Sequence, residues 1–245
     1  MIVARKNAFL DALLHVYFRR MARHSFHTIA ARGLEHLAAM PPDRPVLLFC
    51  THTNWWDGLI GYFISKHLPG KAIHCMMEER QLRQFQFFTW LGGFSVDLDS
   101  PEKALPTLRY VRKLLKSPTN AVWIFPQGKL SRPNEPFVAQ PGTDYFARST
   151  PEAMLVPIAL RYDFFRDDRP NVLIEIGPPF PGTELVEGRI SAECSKAFAR
   201  VSAAAEEQSL DGFTPLFPPV WPINKRWEWI KRAVTGRLSG FKLEN

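Results

Sequence analysis

The chain has 245 residues, enough to bury a sizeable core in one domain with appendages. Its 46% apolar and 22% charged residues exclude an intrinsically disordered chain. Its net charge of +7 lies at the ends: six basic against two acidic residues in 1–40, and again in 221–245.

The predicted elements follow in chain order. Asn7–Arg23 reads as a helix, with Phe9, Leu10, Leu13, Leu14, Tyr17 and Phe18 at helical spacing and Arg19, Arg20 and Arg23 in its last turns. Pro45–Thr51 is a strand and Gly58–His67 a helix ending at Pro69-Gly70. Ala72–Met77 is a short apolar run, Gln81–Leu91 a helical one stopped by Gly92-Gly93, and Phe94–Val96 a brief strand. Pro101–Lys116 has good helix start and stop chemistry, and Ala121–Phe125 is a buried strand. A helical turn at Gly142–Arg148 precedes strands at Met154–Arg161 and Val172–Gly177. Ile190–Gln208 is a long Ala-rich helix, Phe213–Pro222 an extended connector with four prolines, and Asn224–Arg237 a basic helix carrying Trp227 and Trp229.

Strands alternating with helices predict an α/β layered domain with a central mostly parallel or mixed sheet, plus amphipathic terminal helices. The expected division is a helical N-terminal segment (1–40), the main domain (41–210), and a connector with a C-terminal helix (211–245). Aromatic and apolar residues beside Lys and Arg at both ends, with Trp at the C-terminal one, suit a lipid headgroup region, although both helices could equally pack on the domain and present a solvated basic face. Nucleic acid is not expected, because no binding motif accompanies these aromatic, basic ends. No run is long enough to cross a bilayer, and the start does not read as a cleaved signal peptide. Cys50, Cys75 and Cys194 are widely spaced and odd in number, so neither a disulfide framework nor a metal site is expected, and a reducing compartment is.

The most informative stretch is Leu47–Ile60, a strand feeding a helix with His52 and Asp57 at the junction. On one helix or one strand these side chains would point apart, so they meet only if the chain turns at Thr53-Asn54. A carboxylate orienting an imidazole is half of the triad logic, with the nucleophile left to a substrate hydroxyl. A solvated turn and an N-cap would give the same two letters. Cys50 is a rival nucleophile, but at two-residue spacing along a strand it lies too far from His52 for a good hydrogen bond. Phe125–Arg132 leaves a second buried strand, where Gly128 with Lys129, Ser131 and Arg132 makes either an anion cradle or a plain turn.

Taken together, four ordered blocks resemble the glycerolipid acyltransferase superfamily, which includes 1-acylglycerol-3-phosphate acyltransferase. They are His52-x-x-x-x-Asp57, Gly92-Gly93-Phe94-Ser95-Val96-Asp97, Phe125-Pro126-Gln127-Gly128 and Val156-Pro157-Ile158-Ala159, over residues 40–180. The resemblance implies acyl transfer from a thioester, acyl-CoA or an acyl-carrier protein, to a lysophospholipid hydroxyl, with no other cofactor. His52 would be the general base and Asp57 its orienting carboxylate. Asn54, Gly93, Phe94, Phe125, Pro126, Gln127, Gly128, Lys129 and Arg132 would bind substrate. With the basic ends and the reducing compartment, a peripheral enzyme on the inner, cytoplasmic face of a membrane is expected. Leu98 stands where the family carries Arg, Gln127 for Glu, and Lys129-Leu130 for Thr-Arg, so an acceptor other than glycerol phosphate is expected, such as a larger-headgroup lysophospholipid or a glycosylated lipid. A non-catalytic lipid-binding protein and a hydrolase remain the other readings. The aromatic stretch Phe85–Phe94 could line an acyl tunnel or simply pack the core.

Overall fold

The computed structural model describes residues 1–132, 135–221 and 223–234. Its elements are α1 (Ala8–Ser25), β1 (Ile29–Arg32), α2 (Leu34–Ala38), β2 (Val46–Cys50), α3 (Asp57–Ser65), β3 (Ala72–Glu78), α4 (Glu79–Gln84), β4 (Gly93–Val96) and α5 (Pro101–Leu114). They continue with β5 (Asn120–Ile124), α6 (Pro141–Arg148), β6 (Met154–Asp163), β7 (Asn171–Ile176), β8 (Phe180–Pro181), α7 (Arg189–Glu206), β9 (Thr214–Pro215) and α8 (Ile223–Val234).

The strands form one nine-stranded sheet in the order β4-β3-β5-β2-β6-β7-β1-β9, with β8 beside β6. From β4 through β6 neighbours are parallel, β7 runs antiparallel to β6, and β1 is parallel to β7. The sheet is mixed, as its composition allowed. Strands buried on both faces read as continuous apolar runs, and Val46–Cys50 and Ala121–Ile124 do so because helices cover both sides. Val46, Leu48, Cys50 and Trp123 pack under α1 and α3, while Leu47, Phe49, Val122 and Ile124 pack under α5, α6 and α7.

Three expectations need correction. The first 40 residues are not purely helical: β1 belongs to the central sheet, and Phe18 and Ala22 of α1 are buried in the core. The run Ile29–Arg32 is too short and Ala-rich for periodicity to mark it as a strand, and its pairing with β7 is long-range. The connector also contributes a strand, β9, paired to β1. Finally, Gln81–Leu91 is not one helix, because it breaks at Phe85 into α4 and a 3₁₀ turn, Gln86–Leu91. Gly92, at φ +107°, then brings the chain against Ile73 so closely that a Cβ would collide with the Ile73 carbonyl, which lets β4 align on β3. Of the expected C-terminal helix, Thr235–Arg237 lie outside the described residues.

Candidate active site

His52 and Asp57 sit just beyond the C-terminal end of β2, the position where parallel α/β sheets hold their ligands. Thr51 closes the strand, its N–H donating to the Ile158 carbonyl (3.1 Å) and its hydroxyl accepting from the Leu160 N–H (3.0 Å). The chain then turns, with Asn54 Oδ1 accepting from the Trp56 N–H and the Asn54 carbonyl accepting from the Asp57 N–H. Asp57 opens α3, where free N–H groups favour a carboxylate.

The carboxylate of Asp57 is completely buried, so it must be saturated with donors to remain charged. Its Oδ2 accepts from the Thr53 N–H (2.6 Å) and the Asn54 N–H (2.8 Å), and faces His52 Nδ1 at 2.9 Å. Its Oδ1 accepts from the Tyr162 hydroxyl at 2.6 Å. Burial, with the Asp57 charge beside it, pushes the Tyr162 phenol well above its ordinary range, so the hydroxyl keeps its proton and donates. The carboxylate fixes His52 in the tautomer protonated at Nδ1, leaving the Nε2 lone pair as a base. The imidazole stacks on Phe125 with centroids 4.1 Å apart. The His52 N–H donates to Gln127 Oε1 (2.6 Å), and its carbonyl accepts from the Ser131 N–H (2.9 Å). Cys50 is no rival, because burial and then the Asp57 charge hold its thiol far above the thiolate range.

A cavity of about 1010 Å³ opens at His52. Of the expected substrate-binding residues, Gly93, Phe125, Pro126, Gly128 and Lys129 line it. The other four are placed differently. Asn54 shapes the turn, Phe94 is core packed on Tyr110 (5.2 Å between centroids), and Gln127 is buried holding His52. Arg132 is exposed beside Glu135. The aromatic stretch divides, with Phe85 and Phe88 on the cavity and Phe87 packed toward Phe18.

Tyr162 was missed, since the sequence reading stopped the strand at Arg161. Its signal is period-two alternation: Ile158 and Leu160 share the α3 face of the sheet, and two residues on the same parity brings Tyr162 to Asp57.

A dyad of this geometry at the mouth of a large apolar cavity defines a class. The family described as Acyltransferase matches residues 28–161, more than half of the sequence, and the chain belongs to it. That match begins at β1, consistent with β1 being part of the domain's sheet. Its structure is similar to that of the 1-acyl-sn-glycerophosphate (LPA) acyltransferase PlsC from Thermotoga maritima, with a TM-score of 0.53 at 17% identity, covering 81% of this chain and 79% of that one. No curated protein sequence matches the chain.

Proposed function

We propose that this acyltransferase moves a fatty acyl group from a thioester, acyl-CoA or acyl-carrier protein, to the free hydroxyl of a lysophospholipid or related lipid at a membrane surface. The observation that carries this reading is the His52–Asp57 pair at the mouth of the 1010 Å³ apolar cavity. His52 Nε2 takes the acceptor hydroxyl proton as the oxygen attacks the thioester carbonyl, and Asp57 stabilises the resulting imidazolium. Collapse of the tetrahedral intermediate breaks the C–S bond, and the departing thiolate takes the proton back from His52. No acyl-enzyme forms in this scheme.

Support for a lipid surface comes from the exposed apolar side chains of α1, where Phe9, Leu13, Val16 and Tyr17 project beside Arg19 and Arg20. On α8, Trp227, Trp229 and Ile230 are exposed among basic residues. That composition suits an element lying in an anionic headgroup layer, on the cytoplasmic face in this proposal. No described helix is long and apolar enough to cross a membrane.

A second reading, an acceptor without a phosphomonoester such as a glycosylated lipid, is favoured by the groups around the cavity. Lys6, Lys66 and Lys71 are committed to the Ile73 carbonyl, to Asp11, and to four backbone carbonyls respectively. On the His52 side the lining cation is Lys129, with Leu98 and Leu130 around it, and a lone ammonium lacks the bidentate fork that grips phosphate.

The test is transfer of labelled acyl groups from acyl-CoA and acyl-carrier protein into a panel of lysophospholipids and glycolipids, for wild type and His52→Ala. A product that vanishes in the mutant supports acyl transfer and identifies the acceptor. Free acid alone would support hydrolysis. No product with either donor would support a lipid-binding protein.

A further inference from the structure

Besides His52, six charged side chains line the cavity, and four of them are committed to the protein itself. Lys6 donates to the Ile73 carbonyl, Lys66 to Asp11, which also accepts from the Tyr62 hydroxyl, and Lys71 to four backbone carbonyls. The two that remain are Glu78 and Lys129, of opposite charge. Glu78 closes β3, and Lys129 lies in the loop that follows β5. Both strands run parallel to β2, so their C-terminal ends open on the same side of the sheet as His52. The Lys129 loop is itself tied to His52, through the Gln127 side chain and the Ser131 N–H.

The two charges flank one apolar side chain. Glu78 is level with Val96 of β4, and two residues further on comes Leu98. Leu98 Cδ1 lies 3.9 Å from the position that a Cβ on Gly128 would take, next to Lys129. Neither charge is firmly held. Lys129 is exposed, with no ion pair or hydrogen bond among the described residues. The Glu78 carboxylate, 40% exposed, meets Arg80 Nε at 3.3 Å, but Arg80 is 83% exposed and an ion pair of that kind contributes little.

A headgroup beside His52 therefore faces one carboxylate and one ammonium. In the strand order β3-β5-β2, Glu78 is two strand spacings from the strand of His52, about 10 Å, which leaves room for more than a bare phosphate. A phosphomonoester placed there would gain a single cation and meet the Glu78 carboxylate as a like charge. A neutral sugar would engage neither group. A headgroup with one anionic group and one ammonium engages both.

We propose that Glu78 and Lys129 form a subsite for a zwitterionic headgroup, with Lys129 on a monoanion (a phosphodiester or a carboxylate) and Glu78 on a primary ammonium. The ammonium takes the place of Arg80 on the Glu78 carboxylate, and the headgroup so held presents the acceptor's free hydroxyl to His52 Nε2. This rests on the acyltransferase reading and narrows its acceptor by charge to a net-neutral amino lipid.

The experiment measures kcat/KM for acceptors that share one acyl chain, with the better thioester donor held at saturation. Two acceptors are zwitterions, lysophosphatidylethanolamine and a hydroxylated monoacyl lipid headed by an amino acid, each paired with its N-acetyl derivative, which lacks the ammonium. Lysophosphatidylglycerol, lysophosphatidate and a monoacyl glycolipid complete the panel. Wild type should prefer a zwitterion to its N-acetyl derivative by about tenfold, and lysophosphatidylglycerol should rank with the N-acetyl forms. A preference confined to lysophosphatidylethanolamine assigns the anion on Lys129 as a phosphodiester, and one confined to the amino-acid lipid assigns it as a carboxylate. Glu78→Gln should bring the ratio to within about twofold of one, through KM, whereas Glu78→Asp should keep it. Glu78→Lys should turn the preference toward lysophosphatidate. Equal use of each zwitterion and its N-acetyl derivative by wild type overturns the subsite while acyl transfer stands. So does lysophosphatidate or the glycolipid as the best acceptor, or a wild-type ratio in Glu78→Gln. Absence of transfer by wild type to every acceptor overturns the acyltransferase reading itself, and the subsite with it. Thermal unfolding checks each variant, and the wild-type ratios decide the matter should a variant fail to fold.

Discussion

His52 and His74 lie on or next to neighbouring parts of one sheet, yet the fold treats them oppositely. His52 stands past the end of its strand, faces the Asp57 carboxylate at 2.9 Å, and keeps 23% of its side chain accessible at the cavity. His74 is inside β3, buried, with its Nδ1 unpartnered, and burial, with Lys6 adding to it, pushes it down to about 4. An imidazole becomes a base when a buried anion stabilises its cationic form and substrate can reach it. Without both it is a neutral packing element. The comparison separates chemistry from burial, and variants at each site test it.

The largest effect is expected for His52→Ala. Removing a general base typically costs about 10²–10⁴ in rate, with little change in the melting temperature, because the imidazole borders the open cavity and its loss leaves Asp57 with three other donors. Steady-state kinetics with thermal unfolding checks both halves. Asp57→Asn should lose activity on the same scale and also lose stability, because an amide cannot accept all four hydrogen bonds that the carboxylate now takes. Each buried donor left unsatisfied costs about 1–3 kcal/mol, measurable as a lower urea midpoint.

A smaller effect belongs to Tyr162→Phe, whose side chain touches Asp57 and does not line the cavity. With its Oδ1 hydrogen bond gone, the carboxylate becomes more basic and stabilises the imidazolium further. The acid limb of the kcat/KM profile should therefore move to higher pH by about a few tenths of a unit, while KM stays put. A purely structural role for Tyr162 would lower stability and leave that limb unmoved.

How much of this was legible beforehand varied with the range of the interactions. The His52–Asp57 turn is local: six residues carry the strand end, the turn formers and the helix start, so letters and spacing sufficed. The loop at Phe125–Arg132 was legible as a neighbour of the site but not in its roles. Gln127 looked like a substrate contact and instead anchors the His52 N–H across 75 residues. Phe94 was assigned by motif to binding, yet strand parity sends its ring into the core with Tyr110. β1 and β9 escaped because four- and two-residue strands have no readable period, and they exist through pairing with partners far along the chain.

The smallest effect on catalysis is expected at His74, and there the comparison turns on stability against pH. His74 does not line the cavity, so His74→Gln should leave the donor and acceptor profiles as they are. Its folded-state value lies near 4, below the 6.5 of an unfolded chain. Above pH ~6.5 the residue is neutral in both states, so its neutral burial carries no penalty. As pH falls from there toward 4, the unfolded state takes up the proton first, and stability drops by up to about 2–3 kcal/mol. Urea unfolding between pH 7.5 and 4.5 should show a shallower decline in His74→Gln than in wild type. Parallel declines would mean that His74 finds a compensating partner when protonated, and that burial alone does not distinguish it from His52.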